Sequence, residues 1–263
     1  MRRPAQIVFV DPRSLRVVSR VPLPAPPRHL TYDEDAGTIL VPAEAADELL
    51  VVRPHRVVAA TRVGNHPHDA TSVGENIFVA DEHSDQVSLL RKGRLFRTLR
   101  TPHQPGGITV VSRRWVALVA VSARELEVYG VFSLKPVATL PAGVGPTHIV
   151  NGLPYAYVAD TEGDRILVYE IGRHPRLLGR TAAPGTPYGL AADRSRDRLW
   201  VTATASNRLL EYSTLTKLPR RVASYPTLRQ PNSAAVDPAT GQVFVAGRDA
   251  GRLERISPPR GAP

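Results

Sequence analysis

Three of the eight histidines, His29, His68 and His148, occur in short phrases that begin with a proline. An imidazole near neutral pH can bind a metal, accept a proton or hydrogen-bond a ligand. The phrase that contains His68 adds the carboxylate of Asp69. If the fold brings these phrases together, their side chains would form a polar site for a small molecule or a divalent metal.

The histidine phrases belong to a longer series of six. The phrases are Pro27-Arg28-His29-Leu30, Pro67-His68-Asp69-Ala70, Pro105-Gly106-Gly107-Ile108, Pro146-Thr147-His148-Ile149, Pro187-Tyr188-Gly189-Leu190 and Pro231-Asn232-Ser233-Ala234. Successive phrases start 38 to 44 residues apart. A fixed period in this range indicates one supersecondary unit copied in series.

Each unit contains four short apolar runs separated by polar turns. In the second unit the runs after the proline phrase cover 77–79, 87–90 and 94–99, with a turn at 83–86. Such runs are rich in β-branched and aromatic residues, and four strands per 40 residues is typical of a β-propeller blade. The 25 prolines and 19 glycines interrupt the chain too often for helices of ordinary length.

The sequence therefore predicts an all-β fold in one domain, 1–263, with six four-stranded blades. The blade repeats start near 27, 67, 105, 146, 187 and 231. The last repeat has only three candidate strands, 232–236, 243–246 and 253–256, whereas segment 1–22 offers two, 7–10 and 15–21. We expect segment 1–22 to pair with the last blade and close the ring, which removes an open sheet edge. One strand is then surplus, so we expect either 253–256 or 7–10 to be peripheral, with a longer native chain and a seventh blade as the alternative.

Innermost strands line the channel of a propeller, so the proline phrases should surround one mouth. The predicted ligand-binding residues are Arg28, His29, His68, Asp69, Thr147, His148, Tyr188 and Asn232. The candidate metal ligands among them are His29, His68, Asp69 and His148. His29 and His148 lie on opposite blades, and a channel can be too wide for both to reach one ion. The alternative is that these phrases only shape the turns before the inner strands, because proline fixes φ and glycine allows close approach of the backbone.

The bulk properties narrow the classes of function. The formal net charge is +10, but lysine occurs only at positions 92, 135 and 217, and arginine supplies the remaining basic residues. We interpret these arginines as a solvated outer rim, with a polyanion, an acidic envelope surface or a partner protein as alternatives. Aromatic residues make up only 6%, which disfavours a nucleic-acid binder that stacks bases.

Other features exclude several kinds of chemistry. The chain has no cysteine, which excludes disulfides, thiolate metal sites and cysteine nucleophiles. No apolar run approaches the roughly 18 residues of a membrane helix, and the chain as given shows no signal peptide. Metalloprotease, nucleophile-elbow and Walker motifs are missing, so no catalytic residue is assigned. Carboxylates that follow strands are interpreted as a solvated rim or turn caps: Glu44, Asp81, Glu82, Asp160 and Glu162.

The repeats resemble those of YncE-like, YVTN-type β-propellers. The similarity is carried by segments 67–90, 146–171 and 187–213, in which the proline phrase leads into a strand and then a polar turn. Two of these strands end in Val-Ala-Asp, at 79–81 and 158–160. The similarity extends over nearly the whole chain. Similar repeats also occur in NHL-type modules, SMP-30-like lactonases and streptogramin lyases. The resemblance implies a protein found outside the cytoplasm that mainly binds ligands or partners.

The enzyme branches of these propellers have their own signatures. SMP-30-like enzymes hold a divalent cation with acidic and amide ligands, for which Asp69 and Asn232 are the comparable residues, whereas blade one carries His29. The lyases use an inner-strand histidine with a metal, and His148 lies in a comparable phrase without their Trp-Phe-Thr-Glu pattern. The sequence thus predicts a non-enzymatic binding propeller without a required cofactor, with a metal-assisted hydrolase or lyase at the same mouth as the alternative.

Overall fold

The computed structural model describes residues 4–247 and 251–258 and shows an all-β, six-bladed propeller. An N-terminal hairpin precedes the blades and consists of β1 (Gln6–Val10) and β2 (Val17–Pro22). Each blade is an antiparallel meander whose strands follow one another in chain order. Short apolar runs separated by turns form such meanders because each strand can bury both faces between neighbouring sheets.

The first three blades have four strands each. Blade one contains β3 (Thr31–Asp33), β4 (Thr38–Ala43), β5 (Glu48–Arg53) and β6 (Arg56–Arg62). Blade two contains β7 (Pro67–Val73), β8 (Asn76–Asp81), β9 (Gln86–Arg91) and β10 (Arg94–Arg100). Blade three contains β11 (Pro105–Ser112), β12 (Trp115–Ala120), β13 (Glu125–Gly130) and β14 (Pro136–Pro141).

The remaining blades follow the same order. Blade four contains β15 (Pro146–Gly152), β16 (Tyr155–Asp160), β17 (Arg165–Glu170) and β18 (Arg176–Ala182). Blade five contains β19 (Pro187–Asp193), β20 (Arg198–Ala203), β21 (Arg208–Ser213) and β22 (Arg220–Pro226). Blade six contains three strands, β23 (Pro231–Val236), β24 (Val243–Gly247) and β25 (Leu253–Ile256).

The ring closes differently from the prediction. Segment 1–22 was expected to pair with the last blade, but β1 and β2 form a two-stranded sheet of their own over the residues that the structure describes. β24 pairs with β23 along one edge and with β25 along the other, so neither edge of β24 is available to the hairpin. The hairpin instead touches blade six through Arg255, whose guanidinium donates to the carbonyl oxygens of Pro12 and Arg13.

The hairpin also packs on blade one, so it lies between the last and the first blade. Its residues Ile7 and Val21 are buried against Val41, Leu50 and Val52. Five further apolar layers fill the spaces between successive blades. Most of the stabilising apolar burial therefore lies between blades, and the channel is left for polar groups.

A repeated irregularity shapes the inner strands. The inner strands of blades two to six begin at the prolines of the repeat, whereas in blade one the strand begins at Thr31, four residues after Pro27. In those five blades the register shifts between the proline and the following residues. Proline lacks an N–H and suits the first position of an edge strand, and such a bulge redirects the side chains that follow. The phrases are thereby turned toward the channel.

Helical structure is nearly absent. Within residues 4–247 and 251–258 the helical segment is a 3-10 turn at Glu44–Ala46, which continues directly from β4. No helix in these ranges has the length and apolar character that crossing a bilayer requires.

Candidate functional site at the channel mouth

Four aromatic rings from four different blades meet at the channel mouth, and we call them the histidine cluster: His29, His68, His148 and Tyr188. The ring of His29 stacks on His68 with centroids 4.9 Å apart and meets His148 edge-on at 4.1 Å. Tyr188 packs against His148 at 4.5 Å. His68 is buried, and the other three are half-buried, so the cluster remains open to the channel.

The channel is narrower at this level than the sequence led us to expect. Nε2 of His29 and Nε2 of His148 lie 3.0 Å apart although they come from blades one and four. Glycines allow this contraction: a Cβ on Gly189 would lie 2.9 Å from the carbonyl oxygen of Asn232, and one on Gly107 would lie 3.2 Å from the carbonyl oxygen of Thr147. The neighbouring inner strands can approach this closely only where no side chain intervenes.

Two carboxylates border the cluster, Glu44 and Glu82, and we call them the carboxylate pair. Both are buried, so the interpretation of these residues as a solvated rim was wrong. Glu82 Oε2 lies 3.1 Å from His68 Nδ1, and Glu82 Oε1 accepts a 2.7 Å hydrogen bond from Gln104. Glu44 Oε1 lies 2.8 Å from Nε of Arg28. A buried carboxylate is stable only when charges or donors of this kind compensate it.

The other strand-end carboxylates have structural partners. Asp81 Oδ2 accepts hydrogen bonds from Ser88 Oγ at 2.6 Å and from Gln86 at 3.1 Å. Asp160 Oδ1 accepts from the backbone N–H groups of Val144 and Gly145, at 2.9 and 2.8 Å. These contacts fix turns between blades, as turn caps would. Glu162 is exposed.

A comparison between repeats could have identified the carboxylate pair. Glu44 and Glu82 directly follow the second strand of their blades, where blades four and five have Thr161 and Thr204. The hydroxyls of these threonines donate to the carbonyl oxygens of Pro187 and Pro231 on the next blade, both at 2.7 Å. A carboxylate cannot make that bond, because it has no proton to donate when ionised. Blades one and two therefore lack this contact, as does blade three, which has Val121 at the position.

The site holds its groups in defined charge states. The hydrogen bond from His68 and then that from Gln104 lower the pKa of Glu82 to about 2, so this carboxylate is ionised at neutral pH. Burial, followed by the charges of His68 and Arg28, lowers the pKa of His148 to about 3. The contact between His29 and His148 is consequently one between an Nε2–H and an unprotonated Nε2.

Asp69 lies among the predicted ligands but makes structural contacts. Its carboxylate accepts from the backbone N–H of Ile108 on the next blade at 3.1 Å and from that of Ala70 at 2.8 Å. Burial raises its pKa to about 6. Asp69 thus joins blades two and three, and each of its two carboxylate oxygens accepts a hydrogen bond from a backbone N–H group.

The remaining predicted residues surround the cluster. The hydroxyl of Thr147 is 2.7 Å from that of Thr161, which places it in the contact between blades four and five. Arg28 has a side chain about one-third exposed, with 34% of its surface accessible. Asn232 is half-buried on β23. Arg28 and Asn232 are therefore the predicted residues that can offer donors to a ligand from the edge of the mouth.

Within the part of the chain that the structure describes, two groups of side chains could hold a metal ion. The first contains Glu44, His68 and Glu82, all buried, and the second contains His66, Glu82 and His83. In each group the potential ligand atoms lie within 4.8 Å of one another. His66 and His83 stack with centroids 4.3 Å apart, and His83 is exposed. The buried group thus combines His68, which the sequence analysis proposed as a metal ligand, with the carboxylate pair, which it did not propose.

The outer strands carry the basic charge. The arginines assigned to the rim are all exposed: Arg91, Arg94, Arg97, Arg100, Arg173, Arg176, Arg180, Arg220 and Arg221. Some have local partners, since Arg91 lies over the ring of Phe96 at 4.2 Å and Arg176 pairs with Glu170 at 2.7 Å. A polyanion or an acidic surface as their partner stays a prediction.

Comparisons with known proteins support the propeller fold. No protein-family model matches the chain, and no curated protein matches it. A functionally unknown protein from Desulfotomaculum acetoxidans superimposes with a TM-score of 0.84 at 15% identity, over 98% of this chain and 90% of that one. The resemblance to YncE-like repeats is therefore supported at the level of the β-propeller.

Two other similar structures have names that refer to chemistry. A putative 6-phosphogluconolactonase from Bacteroides uniformis gives a TM-score of 0.79 at 13% identity, over 97% of this chain and 88% of that one. Virginiamycin B lyase from Staphylococcus aureus gives 0.77 at 16% identity, over 94% and 86%. At these identities the similarity establishes the fold and leaves the activity open.

Proposed function

We propose that the protein is a binding propeller that holds a small, oxygen-rich organic molecule, such as a hydroxy acid or a lactone, at the channel mouth. The observation that carries this proposal is the contact between His29, His68 and His148, which come from three different blades. Polar rings in a narrow channel replace apolar packing and add little to stability, so a role in recognition accounts for them best.

The balance of donors and acceptors indicates the chemistry of the ligand. The two buried carboxylates already face Arg28 and His68. Toward the mouth, the phenol of Tyr188 and the amide of Asn232 can each donate a hydrogen bond, beside the pair that His29 and His148 form with each other. Such a set matches a ligand rich in hydroxyl, carbonyl or carboxylate oxygens.

Calorimetric titration of the full chain tests this proposal. Gluconate, citrate and γ-valerolactone would serve as probes, each titrated into the wild type and into the His29→Gln and His148→Gln variants. We expect at least one probe to bind the wild type and each variant to weaken that binding at least tenfold. His174→Ala, an exposed turn histidine, is the control and should bind as the wild type does. Equal affinity in all four proteins would refute a site at this mouth.

A metal-assisted hydrolase or lyase is the second candidate function. It is compatible with the state of His148, whose pKa is lowered to about 3, because the unprotonated imidazole can accept a hydrogen bond at neutral pH even though it is a weak base. It is also favoured by the similar structures whose names refer to a lactonase and a lyase. In this reading His148 would orient water or substrate next to a polarised carbonyl by accepting a hydrogen bond from it.

Acid release distinguishes the two candidates. A pH-stat assay with γ-valerolactone, run with added Zn²⁺ and again with EDTA, would show turnover that depends on the metal and disappears in His148→Gln. Calorimetric binding without acid release supports the binding propeller. If the partner at this mouth is a protein and not a small molecule, none of the three probes should bind.

A further inference from the structure

We propose that Glu44, His68 and Glu82 bind one divalent transition-metal ion of the Zn²⁺ type at the base of the histidine cluster. This inference deepens the proposed function and rests on it, because the ion would provide an attachment point for an oxygen of the small ligand. The three residues come from two adjacent blades, with Glu44 and Glu82 each directly after the second strand and His68 on the inner strand of blade two.

The distances suit a shared ion. Ligand atoms about 2.1 Å from one ion lie about 3.0 to 4.2 Å from one another, depending on the coordination geometry. His68 Nδ1 and Glu82 Oε2 are 3.1 Å apart, and all three potential ligand atoms lie within 4.8 Å of one another. Glu44 would need to move by roughly 1 Å, which a rotation of its side chain provides.

Glu44 gives independent support. Its Oε1 atom is buried and pairs with Nε of Arg28 at 2.8 Å, without the geometry of a hydrogen bond. The residue is only 8% exposed. Arg28 therefore offers this oxygen a charge but no aligned donor, and a cation bound to Glu44 would compensate the oxygen more directly.

The comparison between blades points in the same direction. Blades four and five use Thr161 and Thr204 at this position to bond the next blade. Blades one and two carry glutamates there and blade three carries Val121, so all three lack that bond. The glutamates lie in the two blades whose phrases supply His29 and His68, where a metal ligand set would need oxygens.

The donor set selects the type of ion. Mg²⁺ and Ca²⁺ prefer ligands that are all oxygen, whereas one imidazole with two carboxylates suits Zn²⁺ and related ions. Three protein ligands also leave a coordination position open, as in metal sites that act on a bound molecule. The second group, His66, Glu82 and His83, shares Glu82 but includes an exposed histidine. We therefore assign the ion to the buried group.

The test compares two variants that separate the two groups. EDTA-dialysed full-length protein is titrated with ZnCl₂, and with MgCl₂ for contrast, in a calorimeter and without any organic ligand. Glu44→Gln keeps the volume of the side chain and alters only the proposed group, whereas His83→Asn alters only the other one. We expect one Zn²⁺ per wild-type chain, affinity at least about tenfold lower in Glu44→Gln, and no change in His83→Asn. Thermal unfolding without metal shows that each variant is folded.

The outcomes assign success and failure separately. Weakening in His83→Asn but not in Glu44→Gln, or preference for Mg²⁺, overturns the proposed site, as does the absence of stoichiometric binding. If Glu44→Gln fails to fold, His68→Asn decides instead, because His68 belongs only to the proposed group, and an unchanged Zn²⁺ affinity in that variant overturns the proposal. Titration of gluconate in the presence of EDTA tests the proposed function by itself, so metal binding and ligand binding can fail independently.

Discussion

His29 Nε2 and His148 Nε2 lie 3.0 Å apart across the channel, although 119 positions separate the two residues in the chain. A hydrogen bond between two imidazole nitrogens requires one ring to donate and the other to accept. Burial, followed by electrostatic interaction with His68 and Arg28, lowers the pKa of His148 to about 3 and keeps it neutral. His148 can therefore use one ring nitrogen to donate and the other to accept in this contact.

The neutral state of His148 predicts a loss of stability in mild acid. Its pKa falls from the ordinary 6.5 to about 3 in the folded protein, so between these values only the unfolded chain takes up the proton. Unfolding free energy should therefore decrease as the pH falls below 6.5, and this group should contribute up to about 2 kcal/mol by pH 5. Urea unfolding at pH 7.5 and pH 5 measures the difference.

The His148→Gln variant isolates this contribution. Asp69 and Asp81 act in the opposite direction, because burial raises the pKa of each to about 6 and the folded state then takes up protons first. Their effect is common to both proteins and cancels in the comparison. An equal pH dependence in the wild type and in His148→Gln would contradict the assigned state of His148.

Gly189→Ala should destabilise the protein because its new Cβ would meet backbone. The Cβ would lie 2.9 Å from both the carbonyl oxygen of Asn232 and the Cα of Ser233, which cannot move without shifting β23. We expect a loss of about 1–3 kcal/mol in urea unfolding, together with weaker ligand binding as the mouth widens. Gly172→Ala is the matched control, since nothing lies within 4 Å of its added Cβ. A loss of the same size at both glycines would argue against close approach as the cause.

Thr161→Val should weaken the contact between blades four and five. The substitution keeps the shape but leaves the carbonyl oxygen of Pro187 without the 2.7 Å hydrogen bond that it now accepts. The expected loss is about 0.5–1.5 kcal/mol of unfolding free energy. Thr98→Val, at an exposed position on β10, should change stability little. If both variants behave alike, the hydroxyl at this position has no role in joining the blades.

Much of the fold could be predicted from the sequence because it depends on local repetition. The prolines at 67, 105, 146, 187 and 231 each begin an inner strand, and the apolar runs after them form the remaining strands. Alternation of short apolar runs and turns is a property of the chain itself, and it fixes the meander in each blade. The rings of His29, His68, His148 and Tyr188 lie together because their phrases recur at equivalent positions.

The parts that were missed depend on how distant segments approach. The burial of Glu44 and Glu82 depends on residues distant in the chain, such as Gln104, which donates to Glu82 from 22 positions away. The hairpin position was missed because β25, which follows β24 in the chain, pairs with the edge of β24 that the N-terminal hairpin was expected to use. The close contacts at Gly107 and Gly189 were also missed, because their sequence signal is only a missing side chain.

The N-terminal hairpin should contribute to stability through side chains on blade one, although it forms no sheet with blade six. Val21 is 2% exposed and packs among Val41, Leu50 and Val52. Val21→Ala should therefore lower the unfolding free energy by about 1–3 kcal/mol, since it removes two buried methyl groups and leaves a cavity. Val18→Ala, on the same strand but 58% exposed, is the control and should have almost no effect. Deletion of residues 1–22 should lower the melting temperature by several degrees for the same reason, because it exposes the apolar face of blade one. If Val21→Ala and Val18→Ala have equal stability in thermal and urea unfolding, the hairpin does not protect the gap between the last and first blades.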